Sequence, residues 1–165
     1  MVAANMCYTI KMPMWITDMK KRRGFTLIEL LVVIAIIGIL STVATVSLVQ
    51  ARRRARDTKR ISDIQQVRSA LLIYSNQRAT YPPAEPAIAL GTGSAACLDD
   101  SDAGFNVTCS DPTSVIMQRV PSDPGGYAYS KTGTSSYEIK FNLEGEIGNL
   151  PGGPCTATQE GVTCP

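Results

Sequence analysis

Histidine is absent from the 165 residues, and aromatic residues are few, with one tryptophan and three phenylalanines. The missing imidazole removes the commonest general base and metal ligand. No nucleophile-and-base arrangement, phosphate-binding glycine loop or dinucleotide fingerprint occurs, and the four late cysteines form no Cys-x-x-Cys pair. These gaps exclude the usual catalytic classes, so the chain is expected not to be an enzyme. Charge is missing from Leu30 to Ala51, and proline from Phe25 to Arg78.

What fills the first gap is leucine, isoleucine, valine and alanine. About 20 such residues in a helix cross the hydrocarbon core of a bilayer. The run is too long for the apolar region of a secretory signal, which also ends in a small-residue cleavage site. One carboxylate, Glu29, sits at its start, where it costs several kcal/mol unless it lies near an interface or finds a partner. A plain anchor has no need of it. Snorkelling toward the headgroups is the simplest structural explanation.

Lys20, Lys21, Arg22, Arg23 and Gly24, followed by Phe25-Thr26-Leu27-Ile28-Glu29-Leu30 and the long apolar run, resemble the processing signal of bacterial type IV pilins and type II secretion pseudopilins. The resemblance implies that a prepilin peptidase cuts between Gly24 and Phe25 on the cytoplasmic side and methylates the new amino group of Phe25. Glycine suits a backbone that must enter an active site closely. Glu29 is then expected to pair with the terminal ammonium of a neighbouring subunit and set axial register during assembly, the charge-assisted contact offsetting its desolvation. Residues 1–24 form the leader, with residues 1–18 read as a misassigned start and Met19 as the more typical one.

The absence of proline allows one helix of roughly 50 residues. Residues 25–51 are expected to form the membrane and filament-core part. Residues 52–78 continue it as an amphipathic helix with Ile61, Ile64, Val67 or Arg68, Leu71 and Tyr74 on one stripe. Tyr81-Pro82-Pro83 closes helical territory. Residues 79–165 read as a head: a loop, a short helix capped by Asp111 and started by Pro112 before Val115 to Arg119, and antiparallel strands. Tyr127 and Tyr129, then Tyr137, Ile139, Phe141 and Leu143, alternate with polar or small residues and form a hairpin around Gly133. The fold class is α+β: a long N-terminal α-helix, membrane-spanning in its first half, packed on a small antiparallel β-sheet head. The order of Tyr-Pro, Pro-Ser-Asp-Pro and Tyr-x-Tyr in the head is similar to that of pseudopilins.

Charge is segregated. Residues 50–78 hold eight basic residues against Asp57 and Asp63, a local net of +6, whereas residues 79–165 hold three basic against ten acidic, a local net of −7. The basic collar, Arg52 to Arg60, is expected to meet the acidic head of another subunit. Without aromatic interleaving it does not read as a nucleic-acid site.

Cys97, Cys109, Cys155 and Cys164 permit three pairings. Proximity favours Cys97 with Cys109 and Cys155 with Cys164, in an oxidising compartment. A zinc site is the alternative, disfavoured by spacing and the lack of histidine. No metal is assigned. Some secretion pseudopilins carry calcium in a late acidic loop, and Asn142, Glu144, Glu146 and Asn149 would be its oxygen ligands here, as would Asp99, Asp100 and Asp102. Neither run fits a calcium-loop pattern. Asn106-Val107-Thr108 matches a glycosylation acceptor.

The function implied is a structural subunit of a type IV pilus-like filament, a self-assembled helical homo-oligomer. Its partners are the prepilin peptidase, an assembly ATPase, an inner-membrane platform protein and, before assembly, the lipid bilayer. The location is the inner membrane, N-terminus in the cytoplasm and head outside, then an extracellular or periplasmic filament. A secretion pseudopilin forming a periplasmic piston is the alternative within the family. A membrane-anchored binding domain that never assembles is the alternative from another class.

Overall fold

The computed structural model describes residues 24–165. A 52-residue helix, α1 (Leu27–Arg78), is followed by eight strands: β1 (Ile88–Ala89), β2 (Cys97–Asp99), β3 (Phe105–Asn106), β4 (Val115–Met117), β5 (Ala128–Gly133), β6 (Ser136–Leu143), β7 (Gly153–Ala157) and β8 (Val162–Thr163). The chain divides into two units, one ending at Thr42 and the other running from Val43 to Pro165. In the first, the described residues are helical from Leu27, and every side chain is exposed.

The second unit holds the rest of α1 and the head. All its strand pairings are antiparallel, in a five-stranded sheet ordered β1-β5-β6-β7-β8 and a three-stranded sheet ordered β3-β2-β4. Strand β6 shows why a sheet forms here. Tyr137, Ile139, Phe141 and Leu143 are buried while Lys140 and Asn142 face out, the period-two pattern of a half-covered strand. The register Tyr129 to Ile139 and Phe141 to Cys155 aligns the buried faces of three strands.

On α1 the matching stripe is Ile64, Val67, Leu71 and Tyr74, all within 1% of full burial, and it joins the strand residues in one core. Burying each such side chain is worth about 1.5–3 kcal/mol in apolar transfer. Two buried tyrosines satisfy their hydroxyls on backbone carbonyls: Tyr74 donates to Ser101 O at 2.9 Å and Tyr129 to Pro82 O at 2.9 Å. Tyr81 meets Tyr137, and Phe105 meets Tyr129, edge to face at centroid distances of 4.6 and 5.0 Å.

Helix α1 stops at Arg78 because Ala79 takes a left-handed conformation (φ 55°), its N–H still bonded to Ser75 O, just ahead of Pro82 and Pro83. Glycine is required at position 104. Its φ is +67°, and a Cβ there would lie 2.7 Å from Pro82 Cβ and 3.1 Å from Tyr74 Cε2.

The short helix expected after Asp111 is not formed. Asp111 caps a turn, its Oδ1 accepting from Thr113 N at 2.9 Å, and Val115–Met117 then extend as β4 beside β2. The β-branched Val115 and Ile116 favour the pleated surface offered by β2. The expected loop between residues 84 and 110 also carries structure: β1, a 3-10 turn at Gly93–Ala95, β2 and β3.

Candidate functional site

Gly24 and Phe25 lie just before the helix. A Cβ added at Gly24 would meet nothing within 4 Å, so the fold itself makes no demand for glycine there. Phe25 is 83% exposed. The leader residues Lys20, Lys21, Arg22 and Arg23 lie outside the described residues.

The first turn of α1 gives Glu29 a partner that the spacing argument overlooks. Thr26 N donates to Glu29 Oε2 at 2.9 Å, Thr26 Oγ1 donates to the same oxygen at 2.7 Å, and Glu29 N donates back to Thr26 Oγ1 at 3.3 Å. This is a capping box, two orphan helix donors satisfied reciprocally by a threonine and the glutamate three residues on. The carboxylate also lies at the positive end of the helix dipole. The signal is present in the chain as Thr-x-x-Glu ahead of an apolar run. Glu29 thus offsets part of its cost within its own chain, and its Oε1 accepts no hydrogen bond among the described residues.

Farther along α1, the basic collar is split. Asp57 is 2% exposed and its carboxylate faces the turn after β6, accepting from Glu144 N at 3.0 and 3.1 Å and from Gly145 N at 3.0 Å. Arg60 Nη1 bonds Asp57 Oδ1 at 2.9 Å and approaches Glu144 Oε1 at 3.1 Å. Its Nε sits 3.2 Å from Asp123 Oδ1 as an ion pair without an aligned hydrogen bond. Arg56 Nε donates to Glu144 Oε1 at 2.8 Å, with Nη2 on Oε2 completing a fork. The Arg56 hydrogen bond, helped by the positive charge of Arg56 and Arg60, holds the Glu144 carboxyl down at about 2 against an ordinary 4.5. Asp63 accepts from the buried Tyr127 hydroxyl at 3.1 Å.

The expectation that the whole collar is free to meet another subunit therefore needs correction. Arg56 and Arg60 are engaged by carboxylates of their own chain, because the turns carrying Glu144 and Asp123 reach the same face of α1.

The cysteines join as Cys97 to Cys109 and Cys155 to Cys164, each closing a short loop. Of the weak calcium candidates, Glu144 is taken by arginines, and Asn142, Glu146 and Asn149 are exposed. In the other acidic run, Asp99 accepts from Ser101 and from Asn106 Nδ2, while Asp102 pairs with Arg78. Among the described residues, no group of three or more His, Cys, Asp or Glu side chains could hold a metal. Asn106, the glycosylation match, is half-buried, with its Nδ2 donating to both Asp99 oxygens at 3.0 Å.

A long helix, apolar along its first half and striped along its second, packed on an antiparallel head defines a pilin-like α+β protein. The family model that matches is the prokaryotic N-terminal methylation motif, over residues 19–45. The N-terminal segment thus carries the signature of type IV pilins and pseudopilins, a class of structural subunits, and the match takes in Gly24, Phe25, Thr26 and Glu29. Among curated proteins and among solved structures, none matches the chain. Helix α1 is long and apolar enough to cross a membrane by length and composition, which together with the motif fits an inner-membrane-anchored subunit.

Proposed function

We propose that the chain is a prepilin. It inserts through Leu30–Ala51 with its N-terminus in the cytoplasm, is cut after Gly24 and methylated at Phe25, and is then drawn into a helical filament by an assembly ATPase and a platform protein. The observation that carries this reading is the methylation motif over residues 19–45, joined to a helix whose first half is exposed on every side. Such a surface needs lipid or other helices around it.

The N-terminal geometry supports the chemistry. Gly24 has open space around it and Phe25 is exposed, so a peptidase can approach the bond between them. After the cut, Phe25 N becomes an ammonium. Thr26 holds one oxygen of Glu29 and leaves the other for the ammonium of a neighbouring subunit, a contact strengthened by low dielectric. Packing of apolar helices then replaces lipid, with Glu29 fixing the axial step.

The test is assembly. With a cognate machinery, the wild-type chain should give filaments and Glu29→Ala should give none while remaining in the membrane. An anchor that never assembles would tolerate Glu29→Ala without any change. Fibres on the cell surface assign the chain to a pilus; loss of protein secretion without surface fibres assigns it to a secretion pseudopilus.

A further inference from the structure

The partition of the collar leaves a group of cations with no use inside the subunit. Arg52, Arg53, Arg54 and Lys59 are exposed, and their side chains have no hydrogen-bond or ion-pair partner among the described residues. Arg56 and Arg60, between and beside them, are consumed by Asp57, Asp123 and Glu144. In a helix, Arg52, Arg53 and Arg54 point about 100° apart, so the three guanidinium groups fan around more than half of the circumference.

Their level matters as much as their charge. The 21 residues from Leu30 to Gln50 carry no charge, and as a helix they rise about 32 Å, close to the thickness of a bilayer's hydrocarbon core. Arg52 to Arg54 therefore fall where the phosphates lie. Lys59 stands about 9 Å farther along the axis, within a Debye length of that plane.

We infer that Arg52, Arg53, Arg54 and Lys59 form a docking ring for anionic phospholipid headgroups on the side of the membrane where the head lies, holding the unassembled subunit at a fixed depth. This rests on the reading that Leu30–Ala51 spans a bilayer. Arginine is well suited to such a ring, because its stem lies along apolar surface while its planar fork grips a phosphate in two places. Carboxylates of the same subunit leave the ring free, and the acidic head of a second copy is the alternative occupant that the test separates. The carboxylates nearest the ring, Asp57 and Glu144, are already paired. Of the residues around a cavity of about 190 Å³ beside the ring, with Gln50, Arg53 and Arg54 on its wall, only Glu146 offers an uncommitted carboxylate. Cations on the outer side run against the usual orientation preference, and anionic headgroups compensate them there.

The experiment reconstitutes the full chain in phosphatidylcholine vesicles doped with spin-labelled phosphatidylglycerol or spin-labelled phosphatidylcholine and measures the relative association of the two lipids with the protein. The leader is the same in every variant, so differences report the ring. Wild type should prefer phosphatidylglycerol. R52Q/R53Q/R54Q should lower that preference by at least about fivefold, the factor that each well-placed cation supplies at an anionic surface. R52K/R53K/R54K should retain most of it, and K59Q should give a smaller loss. A glutamine triple that keeps the wild-type preference, with the chain resistant to alkaline carbonate extraction, overturns the ring and leaves the span standing; salt-sensitive cross-linking of subunits through Arg52–Arg54 would then assign those residues to a second copy. Extraction by carbonate overturns span and ring together.

Discussion

Two carboxylates on one helix, Glu29 and Asp57, solve the same problem by different means. Glu29 lies at the first turn, in a segment where Ile34 is 61% exposed and Val43 63% exposed, and its ligands are the N–H and hydroxyl of Thr26, three residues away. Asp57 lies in the helix interior, 2% exposed, and its ligands are backbone N–H groups 87 and 88 residues away together with Arg60. One is partly satisfied within a single helical turn, with its second oxygen and its surroundings uncovered among the described residues. The other is satisfied only once β6 and the turn after it are in place. The same contrast runs through the apolar residues: the first half of α1 is apolar on all sides and covers none of them, whereas the second half is apolar on one stripe and buries it.

Removing the distant-partner carboxylate should have the largest effect. Asp57→Ala strands Arg60 and the Glu144 and Gly145 N–H groups, and a loss of about 3–5 kcal/mol in head stability is expected. Urea unfolding of the detergent-solubilised chain, followed by tyrosine fluorescence, measures it. A loss below about 1 kcal/mol would mean that Asp57 is no more than a surface residue. Leu71→Ala on the buried stripe should cost about 2–5 kcal/mol in the same assay, while Leu72→Ala, its exposed neighbour, should change it by under about 0.5 kcal/mol. Equal costs at the two positions would break the contrast between stripe and open face.

Next come the disulfides. Cys155 and Cys164 are nine residues apart, and the chain-entropy argument gives about 3 kcal/mol for closing so short a loop. The double variant C155S/C164S should lose about that much, read by denaturation under non-reducing conditions.

The arginine fork on Glu144 makes a pH-dependent contribution. Its carboxyl is held at about 2 in the fold against an ordinary 4.5, so its stabilisation is complete above pH about 4.5 and is lost as the pH falls toward about 2. Glu144→Gln should be less stable than wild type at neutral pH, and the gap should close across that window. A gap that is constant down to pH about 2 would show that packing, not charge, makes the difference.

The smallest effect falls on the local carboxylate. Thr26→Ala removes the cap and should cost about 1 kcal/mol of helix stability at the first turn, read as faster amide exchange at Ile28 and Glu29 in micelles. No change in exchange would leave the capping box without consequence.

Much of this architecture is legible in residue spacing. The charge-free run, the proline-free stretch to Arg78, the stripe through Leu71 and Tyr74 and the alternation from Tyr137 to Leu143 each carry one period, and the structure follows them. Legibility fails where a residue's fate depends on a distant segment. Val115–Met117 follow a good helix cap, yet pair with β2. Arg56 and Arg60 look the same as Arg52 and Arg53 in the chain, and only the turns bearing Asp123 and Glu144 divide them. The capping box is different, since Thr26 and Glu29 are three residues apart and the Thr-x-x-Glu spacing needs no distant segment to be read.

The most direct test of the central claim is the N-terminus of the mature chain. Co-expression with an active prepilin peptidase, followed by membrane extraction, intact mass measurement and N-terminal sequencing, should yield a chain that begins at Phe25 with one added methyl group. A chain that keeps Gly24 and its leader, while the same peptidase cuts a control substrate, would contradict the account and leave α1 as a membrane anchor with a capped first turn.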